Sequence, residues 1–309
     1  MALKQVDKAL RPVNWDSYIG QQDIKNRLQV QIQAAKERGE RLGHILLIGP
    51  AGSGKSSLGA LIAEAMGVEF MSIMITPTFN PDVINRRILE ADRDLVILLD
   101  EIHLLPRRHQ HVLYSILEDN VISFSNGKSV PIEHAVTIIA ATTEPQDLTK
   151  SLFDRFDIHH LFSDYSDEEM ADIVAGFADQ LGLYLTDEEC KALGRASAGT
   201  PRQARKLVLA ARDLGGADPQ RVFELCGITE DGLTEDHVSY LRTLHALGGT
   251  AGLDNLASHS GRPKEVILDA EKLLVKRRFI EIAKKGRTLM MPGLKALKKV
   301  DPEYEFTSV

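Results

Sequence analysis

Eight residues near position 50, from Gly49 to Ser56, fit the G-x-x-x-x-G-K-[ST] pattern of a phosphate-binding loop. The glycines of this pattern let the backbone curl so that its N–H groups point at the phosphates of a nucleotide. Lys55 would reach the β- and γ-phosphates, and the Ser56 hydroxyl would bind Mg²⁺. The pattern predicts a site for ATP and Mg²⁺ formed by Gly49, Pro50, Ala51, Gly52, Ser53, Gly54, Lys55 and Ser56.

The residues on either side of the loop agree with this interpretation. His44–Ile48 is an apolar run that ends at the loop, and Ser57–Met66 continues with apolar residues at helical spacing until Gly67. A phosphate-binding loop lies between a buried strand and a helix. A chance glycine turn is therefore disfavoured.

Two later apolar runs end in polar residues that suit ATP hydrolysis. Leu95–Leu99 is followed by Asp100 and Glu101, and another run ends at Thr143. Because parallel strands deliver their carboxyl ends to one edge of a sheet, these residues should lie near the loop. Asp100 would hold Mg²⁺ through water, and Glu101 would polarise the attacking water. Thr143 would touch the γ-phosphate or that water, although a plain strand-end threonine is the alternative.

Arg155, between Phe153 and Phe156, allows two interpretations. Alone it is typical of a surface arginine in a salt bridge. In a ring of ATPases it would be the arginine donated to the γ-phosphate of a neighbour.

The order of the elements predicts three domains and a tail. An α/β domain with a parallel sheet covers 1–163, a small all-α domain covers 164–229, and 230–300 has three helices and a basic β-turn, which is the pattern of a winged helix. A loose tail follows at 301–309. The helical part is opened by the capping boxes at Ser166 and Thr186 and by Pro201.

The charge is distributed unevenly along the chain. The whole chain carries −7, whereas Arg262–Val300 holds twelve Lys and Arg against four acids, a local charge of +8. Such a stretch favours a nucleic-acid face, with a solvated helical surface as the alternative. Lys284, Lys285 and Arg287, on the predicted turn between the last two strands, are the candidate DNA contacts.

Bulk properties indicate a cytoplasmic globular protein of 309 residues. No apolar run approaches the length of a membrane-spanning helix, and the N-terminus does not have the pattern of a signal peptide. The two cysteines, Cys190 and Cys226, lie far apart and have no metal-ligand spacing.

Together these motifs resemble the AAA+ ATPases and, within them, the RuvB family of motors that drive branch migration of Holliday junctions. The resemblance runs from about Leu10 to Leu294 and rests on the joint order of its pieces. Besides the phosphate loop, these are Leu10-Arg11-Pro12, Tyr18-Ile19-Gly20-Gln21, Asp100-Glu101-Ile102-His103, Ala141-Thr142-Thr143, Asp154-Arg155-Phe156, Gly199-Thr200-Pro201-Arg202 and the winged C-terminus.

The resemblance implies roles that the residues alone do not give. Thr143 would be the first sensor, Arg155 the finger acting in trans, Arg202 the second sensor on a helical lid, and Arg287 a phosphate contact at the wing. It also implies a DNA motor working as a homo-oligomeric ring, a hexamer. The adenine pocket and the rest of the nucleotide site would be formed by Leu10, Arg11, Tyr18, Ile19, Ser57, Tyr165 and Pro201.

The sequence departs from the family pattern at four places. Ser56-Ser57 replaces a threonine pair, Phe153 stands where the family has an arginine, and Ile282 replaces a basic residue. The hairpin predicted over Val121–Ile132 is several residues shorter than usual. In the family that hairpin engages the junction-binding partner RuvA. The resemblance therefore supports the ATPase activity more strongly than it supports this partner.

Two other functions compete with the ATP-driven DNA translocase or helicase. A clamp-loader-like or scaffold switch would use ATP to assemble on DNA, but clamp loaders usually end in a helical collar rather than a winged helix. A nucleotide-regulated adaptor without DNA contact is disfavoured by the +8 stretch.

Overall fold

The computed structural model describes residues 10–124, 128–216 and 218–301. The chain divides into two compact units. The first comprises the residues up to Tyr165 together with Thr200–Arg202, and the second comprises Ser166–Gly199 and the residues from Gln203 onward. Among the described residues, no helix combines the length and apolar character needed to cross a membrane.

The first unit is built on a five-stranded parallel sheet with the spatial order β2-β3-β6-β1-β7. Its three central strands, at 45–48, 95–100 and 136–142, are almost continuously apolar, as expected for parallel strands that are covered on both faces. The predicted α/β class is confirmed. The five strands are β1 (Ile45–Ile48), β2 (Glu69–Met74), β3 (Leu95–Asp100), β6 (Val136–Thr142) and β7 (Ile158–Leu161).

Helices cover this sheet through two buried apolar clusters. One cluster includes Leu28 and Leu58, and the other includes Ile84 and Leu113. The helices of the first unit are α1 (Gln22–Arg38), α2 (Lys55–Met66), α3 (Asp82–Glu90), α4 (Arg107–Gln110), α5 (Val112–Asp119) and α6 (Lys150–Phe153).

The helices α4 and α5 meet at His111. The predicted hairpin is present as β4 (Val121–Ser123) and β5 (Ser129–Pro131), which pair antiparallel. Its Asn126-Gly127 turn lies outside the described residues.

The second unit begins with a group of helices whose starts the sequence predicted. Ser166 and Thr186 each form a capping box with the glutamate three residues later, which satisfies N–H groups that the first turn leaves unpaired. The helices of this group are α7 (Asp167–Leu181), α8 (Asp187–Ala196), α9 (Pro201–Asp213) and α10 (Pro219–Cys226).

The winged helix follows, with three helices packed against a three-stranded sheet of order β8-β10-β9. A last helix, absent from the sequence prediction, begins after Met290 with Pro292 in its first turn. A proline at a helix start is a usable signal because its missing N–H would be unpaired there anyway. The elements are α11 (Glu235–Ala246), β8 (Thr250–Ala251), α12 (Leu253–Ser260), α13 (Lys264–Lys276), β9 (Ile280–Ala283), β10 (Gly286–Leu289) and α14 (Met291–Val300).

Two histidines are buried in the first unit. His44 precedes β1, and its Nδ1 accepts a hydrogen bond from the Ile138 N–H at 2.9 Å. Burial lowers the pKa of His44 to about 4, with Arg41 acting in the same direction and Asp157 opposing it. Burial also lowers the pKa of His160, on β7, to about 4. Both imidazoles are therefore neutral in the folded chain at neutral pH.

These depressed pKa values predict acid sensitivity. Below pH 6.5 the unfolded chain binds protons that the folded chain does not, so the free energy of unfolding falls as the pH drops toward 4. The loss should be about 2 kcal/mol per histidine by pH 5. Urea unfolding at pH 7.5, 6.0 and 5.0 measures it. His160→Gln should lose less stability than the wild type over this range, and an identical loss in both proteins would contradict the assignment.

Candidate nucleotide site

The loop from Gly49 to Ser56 joins the end of β1 to the start of α2, as predicted. The Lys55 Nζ donates hydrogen bonds to the carbonyl oxygens of Gly49 at 2.7 Å and Pro50 at 2.9 Å. Burial lowers the pKa of Lys55, while the carboxylates of Glu101 and Asp100 act in the opposite direction. The loop thus holds a buried ammonium group beside the two acids that the sequence assigned to ATP hydrolysis.

Three glycines of the loop lie at positions where any other residue would displace a neighbouring side chain. Gly52 and Gly54 have φ of 78° and 100°, in the left-handed region. A Cβ on Gly52 would lie 2.8 Å from the Arg202 Cβ, and one on Gly54 would lie 2.8 Å from the Tyr18 hydroxyl oxygen. A Cβ on Gly49 would lie 2.6 Å from the Phe162 Cβ. The tight loop therefore depends on these residue types.

Ser56 and Asp100 meet at the carboxyl edge of the sheet. The Ser56 hydroxyl donates to Asp100 Oδ2 at 2.8 Å. A hydroxyl and a carboxylate side by side are hard oxygen donors of the kind that Mg²⁺ prefers, with phosphate and water oxygens completing its shell. The described residues contain no group of three or more His, Cys, Asp or Glu that could hold a metal without such help. The pair fits a Mg²⁺ ion that is bound together with a nucleotide.

Glu101 stands directly after β3 in a left-handed conformation, with φ of 57°. Its N–H donates to Asp100 Oδ1 at 3.2 Å, and its Oε2 accepts from the Thr143 hydroxyl at 3.4 Å. A non-glycine residue with this φ is uncommon and often marks a functional site. The structure therefore brings together the predicted residues Asp100, Glu101 and Thr143.

His103 belongs to the same cluster, although sequence analysis gave it no role. Its Nδ1 lies 3.4 Å from Glu101 Oε2 and 3.2 Å from the Thr142 hydroxyl oxygen. The Asp100-Glu101-Ile102-His103 order was the signal that could have indicated it. The imidazole is nearly buried and contacts the carboxylate that would polarise water.

Two of the predicted adenine-pocket residues, Tyr18 and Tyr165, contact the phosphate loop. The Tyr18 hydroxyl donates to the Gly54 carbonyl at 3.3 Å, and the Tyr165 hydroxyl donates to the Ser53 carbonyl at 2.9 Å. Burial raises the pKa of Tyr18 well above its usual 10, so this hydroxyl keeps its proton. Among the other predicted residues, Leu10 is buried, Ile19 and Ser57 are half-buried and Arg11 is exposed.

Gln21 and Lys25 hold this segment and were not identified from the sequence. The Gln21 amide donates to the Ser163 carbonyl at 2.7 Å and accepts from the Ser163 N–H at 2.9 Å. Lys25 Nζ donates to the Tyr18 carbonyl at 2.8 Å. Gln21 thereby ties the segment after Tyr18 to the strand end that precedes Tyr165. Only the folded chain brings these positions together, since 142 residues separate Gln21 from Ser163.

Arg202 approaches the loop through its backbone. Pro201 begins α9, and the Arg202 N–H donates to the Gly52 carbonyl at 3.4 Å. The Arg202 side chain is exposed. Its position beside Gly52 is compatible with the predicted second sensor.

Arg155 contacts α5 and α6 of its own unit. Its Nε lies 3.1 Å from Glu118 Oε2, and its guanidinium carbon lies 4.0 Å from the centroid of the Tyr114 ring. Neither of these partners belongs to the phosphate loop. This arrangement is compatible with an arginine that acts on another copy of the chain.

The predicted position of one candidate DNA contact, Arg287, is wrong. Lys284 and Lys285 form the turn and are exposed, but Arg287 lies on β10 rather than on the turn. Its Nε donates to Glu271 Oε1 at 2.8 Å, and Glu271 also accepts from the Tyr240 hydroxyl. There are two reasons for the difference. Ala283 pairs with Gly286 in the hairpin, which places Arg287 in the strand. The Glu271 carboxylate is desolvated and therefore attracts the Arg287 guanidinium more strongly than a surface acid would.

Comparison with known protein families identifies two matching segments. Residues 10–162 match the family model described as the Holliday junction DNA helicase RuvB P-loop domain. Residues 230–298 match the RuvB C-terminal winged helix domain.

Curated relatives match over nearly the whole chain. The Holliday junction branch migration complex subunit RuvB of Levilactobacillus brevis is 32% identical over 318 residues, covering 96% of this chain and 94% of the relative. The protein of the same name from Fervidobacterium nodosum is 34% identical over 308 residues, covering 90% of this chain and 86% of the relative.

Solved structures give the same result. The structure titled Thermotoga maritima RuvB Holliday junction branch migration motor matches with a TM-score of 0.78 at 28% identity, covering 94% of this chain and 98% of that one. A point mutant of the same protein matches with a TM-score of 0.80, also at 28% identity and the same coverage. The chain belongs to the RuvB family.

Proposed function

We propose that this chain is an ATP-dependent DNA motor that drives branch migration at Holliday junctions, acting as a homo-oligomeric ring, a hexamer. The observation that carries the proposal is a phosphate-binding loop beside Asp100, Glu101 and Thr143, together with a RuvB-type winged helix in the same chain. The proposed domains are 1–163 for the ATPase, 164–229 for the lid and 230–300 for the winged helix. The proposed location is the cytoplasm.

The loop and the two acids divide the work of ATP hydrolysis. Lys55 and the loop N–H groups would bind the phosphates, and Ser56 with Asp100 would hold Mg²⁺, which neutralises charge on the phosphate oxygens. Glu101 would polarise the attacking water and take its proton. Thr143, which donates a hydrogen bond to Glu101, would orient this carboxylate or the water.

Other residues would link the nucleotide to movement. Arg202, next to Gly52, would report the phosphate state to the lid. Arg155 would reach the γ-phosphate bound by the neighbouring copy, which makes hydrolysis depend on a ring. Tyr18 and Tyr165, which bind the loop carbonyls, would hold the loop in shape around the phosphates.

The wing lysines are the proposed DNA contacts. Lys284 and Lys285 are exposed and have no ion pair in the described ranges, so their charges are available to phosphate oxygens. Arg287 can contribute only if its guanidinium is shared with Glu271 or released from it. Phosphate contacts of this kind hold DNA without reading its sequence, which suits a motor that must move along any sequence.

The hairpin formed by β4 and β5, the predicted contact for a RuvA-type partner, is short. Its two strands have three residues each. We propose that the motor acts on branched DNA and that a junction-binding partner, if used, contacts this hairpin. A helicase activity in the narrow sense, separation of the two strands of a duplex, is a further proposal. The clamp-loader-like switch is disfavoured because a RuvB-type winged helix follows the lid.

Replacing Glu101 should separate ATP binding from hydrolysis. Glu101→Gln keeps the size of the side chain but removes the base, so turnover should fall at least ~100-fold while the Kd for ATP stays within about threefold of the wild type. Steady-state phosphate release and nucleotide titration measure the two effects. Glu144→Gln is the matched control, because Glu144 is an exposed acid that follows β6 at the same edge of the sheet. This variant should hydrolyse ATP at the normal rate. Normal turnover by Glu101→Gln would remove Glu101 from this role.

Arg155 and Lys55 should complement each other across subunits. Arg155→Ala should bind ATP normally but lose about 10³-fold in turnover, and Lys55→Ala should lose ATP binding. When the two variants are mixed, the first binds ATP and the second lends its arginine, so part of the activity should return. Phosphate release by the mixture measures this. If mixed oligomers form and stay inactive, Arg155 does not act in trans.

Removing the wing lysines should weaken DNA binding without regard to sequence. Lys284→Ala with Lys285→Ala should lower the magnitude of the log Kd against log salt slope by up to about 2. Fluorescence anisotropy with four-way and duplex DNA at several salt concentrations measures the slope. Lys191→Ala with Lys206→Ala, lysines of α8 and α9, removes the same charge elsewhere and serves as the control. Equal slopes for both double variants would contradict the wing as the DNA contact.

A further inference from the structure

The guanidinium group of Arg155 is held on three sides within its own unit. It lies over the Tyr114 ring, with 4.0 Å from Cζ to the ring centroid. Its Nε lies 3.1 Å from Glu118 Oε2, and its Nη1 donates to the Ser151 carbonyl at 2.5 Å. The side chain remains 23% exposed. An exposed arginine normally samples many rotamers, whereas this one has contacts on the face of its guanidinium, at Nε and at Nη1.

The positions of Tyr114 and Glu118 explain how one helix supplies two of these contacts. They are four residues apart on α5, so both side chains lie on the same face of the helix. The aromatic face attracts the cation, and the Glu118 carboxylate attracts the guanidinium as an ion pair, in which Nε makes no hydrogen bond. Nη2 makes no hydrogen bond within the described part of the chain, so its N–H groups can donate to a further oxyanion.

A second layer of hydrogen bonds fixes α6, the helix that carries Ser151. Thr149 caps this helix, and its N–H and hydroxyl both donate to Gln110 Oε1, at 3.0 and 2.8 Å. The Tyr114 hydroxyl then donates to Thr149 Oγ1 at 3.2 Å. Gln110 is fully buried and donates to the Leu105 carbonyl. The partners of Arg155 are thus joined to one another and not only to the arginine.

We propose that Tyr114 and Glu118 are positioning residues that preorganise the Arg155 guanidinium for a phosphate bound by a neighbouring copy of the chain. This inference rests on the proposed function of Arg155. A free arginine would lose conformational freedom each time it met the phosphate, and a preformed side chain avoids that loss. Glu118 orients the guanidinium. Because its side chain is half-exposed, solvent screens part of the attraction between the two charges.

The test places the same substitution on either of two subunits in a mixed oligomer. A chain with Lys55→Ala can only donate its arginine, and a chain with Arg155→Ala can only bind ATP. Tyr114→Leu on the donor chain should lower phosphate release by the mixture about tenfold. The same change on the ATP-binding chain should leave it within about twofold, because that chain no longer has an arginine to position.

Two further variants sharpen this comparison. Tyr114→Phe on the donor chain keeps the aromatic face and should retain most of the activity. Glu118→Gln, at a half-exposed position that tolerates substitution, should lower donor-side activity about threefold, and it replaces Tyr114→Leu as the test if that variant does not fold. The Kd for ATP, measured on chains with intact Lys55, should not change with either residue.

The outcomes separate this inference from the proposed function. Equal losses on both subunits, or no loss on the donor, would overturn the inference and show that Tyr114 and Glu118 have only a structural role. If Arg155→Ala alone keeps normal turnover, or if the Lys55→Ala and Arg155→Ala mixture is inactive although mixed oligomers form, the trans role of Arg155 fails instead.

Discussion

The nucleotide site depends on the parallel register of three neighbouring strands. β6 pairs with β1 on one side and with β3 on the other, so that Thr142 lies opposite Ile48 and Ala141 lies opposite Asp100. Because all three strands run in the same direction, their carboxyl ends meet at one edge of the sheet. A change of one residue in either register would separate the phosphate loop from the acids or turn their side chains to the other face.

Within that edge, buried polar groups stabilise one another. Lys55 is desolvated, which disfavours its charge, but Asp100 and Glu101 and the loop carbonyls favour it. The Tyr18 and Tyr165 hydroxyls donate to the loop carbonyls of Gly54 and Ser53, and the Gly54 carbonyl also accepts from the Leu58 N–H. In a low-dielectric environment such a network holds its members in a single geometry, because each unpaired group would carry a large cost.

The winged helix illustrates the difference between formal and available charge. The +8 stretch contains many cations that are already paired, so its sum overstates what DNA can contact. Lys284 and Lys285 stay exposed at the tip of a hairpin, where solvent and DNA can reach them. The paired cations are Arg262 with Asp236, Lys264 with Asp254, Lys272 with Asp269, Arg277 with Asp167, Arg287 with Glu271 and Lys299 with Glu230.

The sequence alone determined the local features of the chain. The loop pattern, the apolar strands ending in Asp100 and Glu101, and the capping boxes each depend on residues close together in the chain. The tertiary structure decided which distant groups meet: Gln21 with Ser163, Tyr114 and Glu118 with Arg155, and Arg287 with Glu271. Such contacts depend on how helices and strands pack, and a pattern of neighbouring residues does not contain that information.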